Sequence, residues 1–291
     1  MSTRTVLVTG ATGNQGGAVT DALLEKGMTV HALVRNPSSP KAQALAERSV
    51  KLVQGDLDQQ DTVQAAAMDV DAVFVLTTPF APGVGIEGEM RQGRTVIDAL
   101  KGANVAHVIY SSVSDADRMT GVPHFDSKAD GERYLRESGL SATVTAPVFF
   151  SENTLFPWNL QDMKDGRFRQ ALPENRKLQL VSLREIGYFN AAIIERGPEL
   201  AGRRFNYAGD EITPNEMTAV LARVTGRKLE YEQQPIEEVS AMSEDMALMY
   251  QWFDRVGYTA DIVRLRRDYP EVGWTSFEEW ASAQDWQLLL S

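Results

Sequence analysis

Ten residues near the start of the chain, Val8-Thr9-Gly10-Ala11-Thr12-Gly13-Asn14-Gln15-Gly16-Gly17, constrain the fold more than any other stretch. They join a short β-branched run, residues 5–9, to an amphipathic one in which Val19, Ala22 and Leu23 recur at i, i+3 and i+4. Glycines spaced G-x-x-G-x-x-G at such a junction have separate uses. Gly10 permits the tight turn, Gly13 lets backbone approach a pyrophosphate, and Gly16 lets the helix pack close to the strand. The helix N-terminus then aims unpaired amides and a partial positive charge at the same place. No Gly-Lys-Ser/Thr follows, which excludes a P-loop. Gly10, Ala11, Thr12, Gly13, Asn14, Gln15 and Gly16 are therefore predicted to cradle a dinucleotide.

The alternation continues through the first half. Residues 5–9, 29–34, 50–53, 72–77, 107–111 and 142–146 read as strands with little polar alternation, as in a parallel sheet buried on both faces. Gly27 is placed to end the first helix, and Met90, Gly93, Ile97 and Leu100 keep one face of a later helix that ends near Gly102. The pattern predicts an α/β fold, with a doubly wound parallel-sheet Rossmann domain over residues 1–150. Beyond it, capping boxes at Ser182-Leu183-Arg184-Glu185, Thr213-Pro214-Asn215-Glu216 and Ser276-Phe277-Glu278-Glu279 announce helices. Trp158, Met242, Met246, Met249, Trp252, Trp274, Trp280 and Trp286 are expected to pack a smaller, mostly helical C-terminal cap over residues 151–291. Some of its segments return to the Rossmann sheet, and short strands around 203–207 and 228–233 extend or edge the cap.

The end of the second strand separates the two nicotinamide cofactors. An NAD site wants a carboxylate there, to hold the ribose 2′-hydroxyl. This chain has Val34-Arg35-Asn36-Pro37 instead. A guanidinium forks onto a 2′-phosphate with charge-assisted hydrogen bonds worth about 1.5–3 kcal/mol. NADP(H) is the predicted cofactor. Gly55-Asp56-Leu57 follows the third strand, at the carboxyl edge where an adenine would lie. Asp56 is placed either to accept from the exocyclic amine or to cap the next helix. Thr77-Thr78-Pro79 closes the fourth strand at the same edge, beside pyrophosphate and ribose, and residues 80–88 have the Gly- and Pro-bearing composition of a mobile rim.

Charge and composition remove other classes. The 29 Lys and Arg against 40 Asp and Glu leave a formal charge of −11, which repels phosphate backbones and anionic lipid. No direct nucleic-acid partner is expected; even Arg264-Leu265-Arg266-Arg267 is flanked by Asp261 and Asp268. The absence of cysteine excludes disulfides and thiolate chemistry, and His31, His107 and His124 have no H-E-x-x-H spacing, so no metal is expected. The apolar run after Met1-Ser2-Thr3-Arg4 is too short for a signal peptide, and no stretch approaches the ~18 apolar residues of a membrane span. A cytoplasmic protein is the expectation.

Several motifs together resemble the NmrA-like group of atypical short-chain dehydrogenases/reductases, which includes NADPH-sensing regulators. They are Gly10 to Gly17 (GATGNQGG), Arg35-Asn36-Pro37, Gly55-Asp56-Leu57, Gln92-Gly93 and His124-Phe125-Asp126-Ser127-Lys128. Pro147-Val148-Phe149-Phe150-Ser151-Glu152-Asn153 and Phe277-Glu278-Glu279-Trp280 extend the likeness over nearly the whole chain. The resemblance implies a Rossmann domain holding NADP(H) and a small C-terminal domain closing over the nicotinamide end. Some members reduce substrates; others only sense the cofactor.

Ordinary short-chain dehydrogenases carry Tyr-x-x-x-Lys, whose lysine holds the nicotinamide ribose and lowers the tyrosine's pKa. Here the lysine slot is Lys128 and the tyrosine slot is His124. The resemblance thus puts Lys128 on the ribose and makes Lys128 and His124 the candidate catalytic pair, with His124 a proton donor or a cofactor neighbour. Ser111-Ser112 is read as a polar edge on the nicotinamide side, and Phe150 and Asn153 as a wall beside the ring. Ala146 and Ser151 depart from the group's frequent basic residue and methionine, which bears on pocket shape. Two functions stay open: a cofactor sensor or regulatory protein with a protein partner, and an NADPH-dependent reductase of a small apolar electrophile such as a quinone, enone or imine. Monomer and homodimer are both open.

Overall fold

The computed structural model describes residues 4–291; Met1, Ser2 and Thr3, part of the stretch read for a targeting signal, lie outside the described residues. The alternating pattern yields β1 (Thr5–Thr9), α1 (Asn14–Glu25), β2 (Thr29–Val34), α2 (Pro40–Ala46), β3 (Lys51–Gln54) and α3 (Gln60–Ala66). It continues with β4 (Ala72–Val75), α4 (Gly85–Ala103), β5 (His107–Ser111), α5 (Pro123–Glu137) and β6 (Ala142–Pro147). Next come β7 (Phe149–Phe150), α6 (Pro157–Lys164), β8 (Arg167–Gln170), β9 (Leu178–Val181), α7 (Leu183–Arg196) and β10 (Arg204–Tyr207).

The large sheet runs β10-β6-β5-β4-β1-β2-β3, and β1 to β6 pair in parallel. Chain order reverses direction at β1, between β2 and β4, the position where doubly wound sheets open a crevice at their carboxyl ends. Leu7, Val73, Val75, Val108 and Tyr110 share a core with Val63 of α3, Ile97 and Leu100 of α4 and Leu135 of α5. The alternate residues Val6, Val8, Phe74 and Ile109 are equally buried, on the opposite face. There α1 and α7 pack together.

Among the strand ends that differ from the sequence reading, two have a clear local hydrogen-bonding reason. β3 starts at Lys51 because the Val50 amide turns back to the Leu45 carbonyl, 3.2 Å away, to close α2. β4 stops at Val75 because the Leu76 amide donates to Thr9 Oγ1 at 2.7 Å rather than to a ladder partner. Thr77, Thr78 and Pro79 therefore lie in a turn beyond the strand. α4 ends near Gly102 as expected, with Ala103 its last residue and Asn104 the C-cap at a left-handed φ of 54°; a Cβ on Gly102 would stand 2.5 Å from Gln64 Nε2.

Two compact units emerge. The first comprises residues through Met119, Pro123–Ala146 and Leu183–Phe205; the second comprises Thr120–Val122, Pro147–Ser182 and Asn206–Ser291. The helix announced at Ser182 belongs to the first unit, because α7 buries Ile186, Phe189 and Ile193 beside α1. The strand expected around 203–207 edges the large sheet rather than the cap, and Val144 N of β6 donates to Arg203 O at 3.0 Å.

In the second unit, β9 pairs in parallel with β7 and antiparallel with β11 (Asp210–Ile212), and β12 (Glu230–Gln233) pairs with β8. The helices are α8 (Pro214–Thr225), α9 (Ile236–Met242), α10 (Glu244–Arg255), α11 (Ile262–Asp268), α12 (Phe277–Ser282) and α13 (Trp286–Leu289). Full capping boxes at Thr213 and Ser276 start α8 and α12. Met249, Trp252, Trp280 and Trp286 are buried as expected, whereas Trp158 and Met242 are 63% and 72% exposed. These last two sit on α6 and α9, short helices whose buried residues are Met163 and Val239.

Candidate functional site

The glycine turn is built from backbone. Gly10 has φ +67°, a conformation open to glycine at little cost, and its carbonyl accepts from the Gly13 amide at 2.9 Å. A Cβ on Gly16 would stand 2.3 Å from Gly10 O, so only hydrogen fits there. α1 has Gly13 at its N-cap, no side-chain cap and no acidic residue in its first turn. The first-turn amides of Asn14, Gln15 and Gly16 lie ahead of any intrahelical carbonyl, next to Ala11 and Thr12, and favour an anion. Gln15 Nε2 donates to Ser111 Oγ at 2.5 Å, tying the turn to the end of β5.

Arg35 follows β2 and is exposed. Its charge reaches Asp58, whose pKa is lowered chiefly by the Gln92 hydrogen bond and also by Arg91 and Arg35. Asn36 Oδ1 accepts from the Ser38 amide at 3.0 Å, and Ser39 caps α2, so the residues after Arg35 form an ordered turn. Asp56 does not cap α3; Gln59 is the N-cap. The Asp56 carboxylate instead accepts from the Asp58 amide at 3.1 Å in an Asx-type turn, while Leu57 packs on the core below.

Beyond β4 the chemistry is carried by buried side chains. Thr77 is 2% exposed, and the Lys128 ammonium lies 2.5 Å from its carbonyl and 3.2 Å from its hydroxyl. The same ammonium is 2.9 Å from Glu89 Oε1, with the carboxylate side chain 1% exposed. Thr77 Oγ1 donates to Glu89 Oε1 at 3.2 Å and Ser127 Oγ to Glu89 Oε2 at 2.5 Å. Tyr110 lies in the same core; burial first, then the charge of Glu89, push its pKa up, so it stays a neutral phenol. Gly131 of α5 makes room for it, since a Cβ there would be 1.9 Å from the Tyr110 hydroxyl.

The His124 ring stands 5.4 Å from that of Phe80, which is 61% exposed, and 4.7 Å edge-on from that of buried Phe125. The two serines at the end of β5, Ser111 in the strand and Ser112 just beyond it, diverge. Ser111 meets Gln15, while Ser112 turns inward to donate to Glu132. Glu132 in turn takes Arg204 Nε at 2.9 Å, and the same guanidinium donates to Val113 O at 2.9 Å. Phe150 and Asn153 belong to the second unit. Phe150 is in register with Val181, and the Asn153 carbonyl accepts from Asn159 Nδ2 at 2.8 Å. No group of residues able to hold a metal ion occurs among the described residues. No described helix is long and apolar enough to cross a membrane.

The structure thus brings Thr77 and Lys128 together and places Gln15 on Ser111. Sequence reading missed Glu89, Ser127 and Glu132. Glu89 sits one turn before Gln92-Gly93 on α4, on the side expected to be apolar, and a carboxylate at that spacing from Gly93 was the available signal.

A doubly wound parallel sheet with an uncapped glycine turn at its first strand–helix junction defines a Rossmann-type α/β protein. Residues 2–281 match the profile of the NmrA-like family, and the chain belongs to that family. It is 25% identical to an NmrA-like family domain-containing protein of Dictyostelium discoideum, over 87% of this chain and 88% of that one. Against an NAD(P)H azoreductase of Xenophilus azovorans it is 28% identical, covering 84% of this chain and 82% of the relative. The solved structure of NmrA, a negative transcriptional regulator, superposes with a TM-score of 0.82 at 22% identity, covering 98% of this chain and all of that one (100%).

Proposed function

We propose that this protein binds NADP(H) at the carboxyl edge of the large sheet and acts as a cofactor sensor, reporting occupancy to a protein partner. The cradle fits the group: at Gly16 a Cβ would occupy the space against Gly10 O, and α1 starts without a side-chain cap. Gly10 to Gly16 would hold the pyrophosphate, Arg35 the 2′-phosphate, Asp56 and Leu57 the adenine end, and Thr77, Thr78, Pro79 and Lys128 the ribose end. The observation that carries the sensing role is the state of the Tyr-x-x-x-Lys positions. His124 packs between two phenylalanine rings in place of the phenol, and the Lys128 ammonium is directed to Thr77 and Glu89.

The reductase reading rests on a separate observation, the similarity to an NAD(P)H azoreductase over most of both chains. Bound NADPH supplies a hydride; in that reading His124 and Lys128 serve proton handling and order at the edge.

Following NADPH absorbance with a panel of quinones, azo compounds, enones and imines separates the two. Sensing predicts NADPH-dependent protease resistance without turnover; robust turnover that falls in Lys128→Ala establishes the reductase instead. Arg35→Asp is expected to weaken NADPH about tenfold to a hundredfold while changing NADH little. Equal losses for both would remove the NADP(H) assignment.

A further inference from the structure

We propose that Glu89 is the positioning residue of the β4 edge: it holds the Lys128 ammonium where it clamps the Thr77 carbonyl, and so orders the turn of residues 77–79. That this turn serves a cofactor rests on the reading above; that Glu89 orders it does not.

A carboxylate with its side chain 1% exposed is costly unless it is paired with a cation and both oxygens are hydrogen-bonded. Glu89 meets that demand with three groups from two other segments. Oε1 takes Lys128 Nζ at 2.9 Å and Thr77 Oγ1 at 3.2 Å, and Oε2 takes Ser127 Oγ at 2.5 Å. Lys128 completes the ring by reaching both Thr77 oxygens. Thr77 is thereby pinned at its carbonyl and its hydroxyl, one by a cation and the other by both members of the pair. Among the described residues the hydrogen bonds of Thr78 and Pro79 are short-range, Phe80 N to Thr78 Oγ1 at 3.3 Å and Gly85 N to Pro79 O at 3.1 Å, and the next tertiary contact is the Phe80 ring on His124. Order in the turn therefore enters through Thr77, and Thr77 is held by an ammonium that only a counter-charge keeps in the interior. Tyr110 also hydrogen-bonds the Thr77 side chain but supplies no second charge, since its phenol is held neutral.

Hydrogen exchange read by mass spectrometry on the ligand-free full chain tests this. In Glu89→Gln, exchange in the peptide covering residues 76–85 should rise about tenfold, with Glu89→Asp recovering most of the protection. Lys128→Met should loosen the same peptide to the same extent, and the double variant no further, because both act through Thr77. NADPH affinity should fall about tenfold in Glu89→Gln, with the same non-additivity. Unchanged exchange in this peptide, with only a lower melting temperature, would overturn the proposal, as would additive effects of the two substitutions. If Glu89→Gln alone fails to fold, the double variant, which removes both charges, must show the loosened turn; a protected turn there sinks the idea. A wild-type chain that binds no NADPH refutes the cofactor reading, and the exchange data still decide the role of Glu89.

Discussion

The turn after β1 and the turn after β4 stand on neighbouring strands of one sheet, yet one is made of backbone and the other of buried charge. Around Gly10 to Gly16 the shape depends on a left-handed glycine and on the lack of a Cβ at Gly16, with the Gln15 side chain tying the turn to Ser111. Around Thr77 the backbone is ordinary, and its place is set by an ion pair contributed by α4 and α5. The first arrangement is local, and its requirements are steric. The second depends on residues 12 and 51 positions away meeting in a dry interior, where an unpaired partner is costly.

The largest effect should come from breaking the buried pair. Removing one partner, as in Lys128→Met, is expected to cost about 3–5 kcal/mol in chemical denaturation. Replacing both, with Glu89→Leu added, should restore much of that loss, since no uncompensated charge remains. A double variant as unstable as the sum of the singles would mean that the pair is not the source of the cost.

A pH effect of about 3 kcal/mol should arise at the opposite end of β5. Burial, and secondarily Arg4, lower the pKa of His107 from 6.5 to about 4, with Nε2 held 2.9 Å from Thr143 Oγ1. The unfolded chain binds the proton first, so this contribution is complete above pH 6.5 and drains away as pH falls toward 4. His107→Gln should flatten that slope in a melting-temperature series. A slope that persists unchanged assigns acid sensitivity elsewhere.

At the glycine turn, Gly16→Ala is expected to cost about 1–3 kcal/mol, because the new methyl meets a backbone carbonyl that has nowhere to move. Its NADPH affinity should fall by more than the stability loss explains. Intact affinity in a folded Gly16→Ala protein would remove the turn from the site. The smallest effect sets the scale. Thr213→Ala, which removes half of a capping box in the second unit, should lower stability by about 1 kcal/mol and leave NADPH affinity unchanged.

How much of this was legible in the chain follows the same division. The strand–helix alternation, the glycine turn, the capping boxes at Thr213 and Ser276 and the exposed Arg35 after β2 all depend on neighbours within a few residues, and each stands where the reading placed it. Asp56 was legible as either an adenine contact or a cap of the next helix. Whether it caps α3 depended on how far the helix begins beyond it, and the helix starts past Gln59. Glu89 was invisible as a partner of Lys128, because 39 residues separate them and helical periodicity says nothing about which face of α4 meets α5. The assignment of α7 was equally hidden: the Ser182-Leu183-Arg184-Glu185 pattern announces a helix start but not which unit the helix packs in.

The residues alone therefore determined a doubly wound sheet opening on a backbone cradle, since short-range sterics and hydrophobic period dictate both. Tertiary packing decided the rest: that Lys128 faces Glu89 and Thr77, that Ser112 turns inward to Glu132, and that α7 lies beside α1. Those outcomes depend on which distant polar groups are removed from water together, and a buried charge takes whatever partner the fold brings within reach.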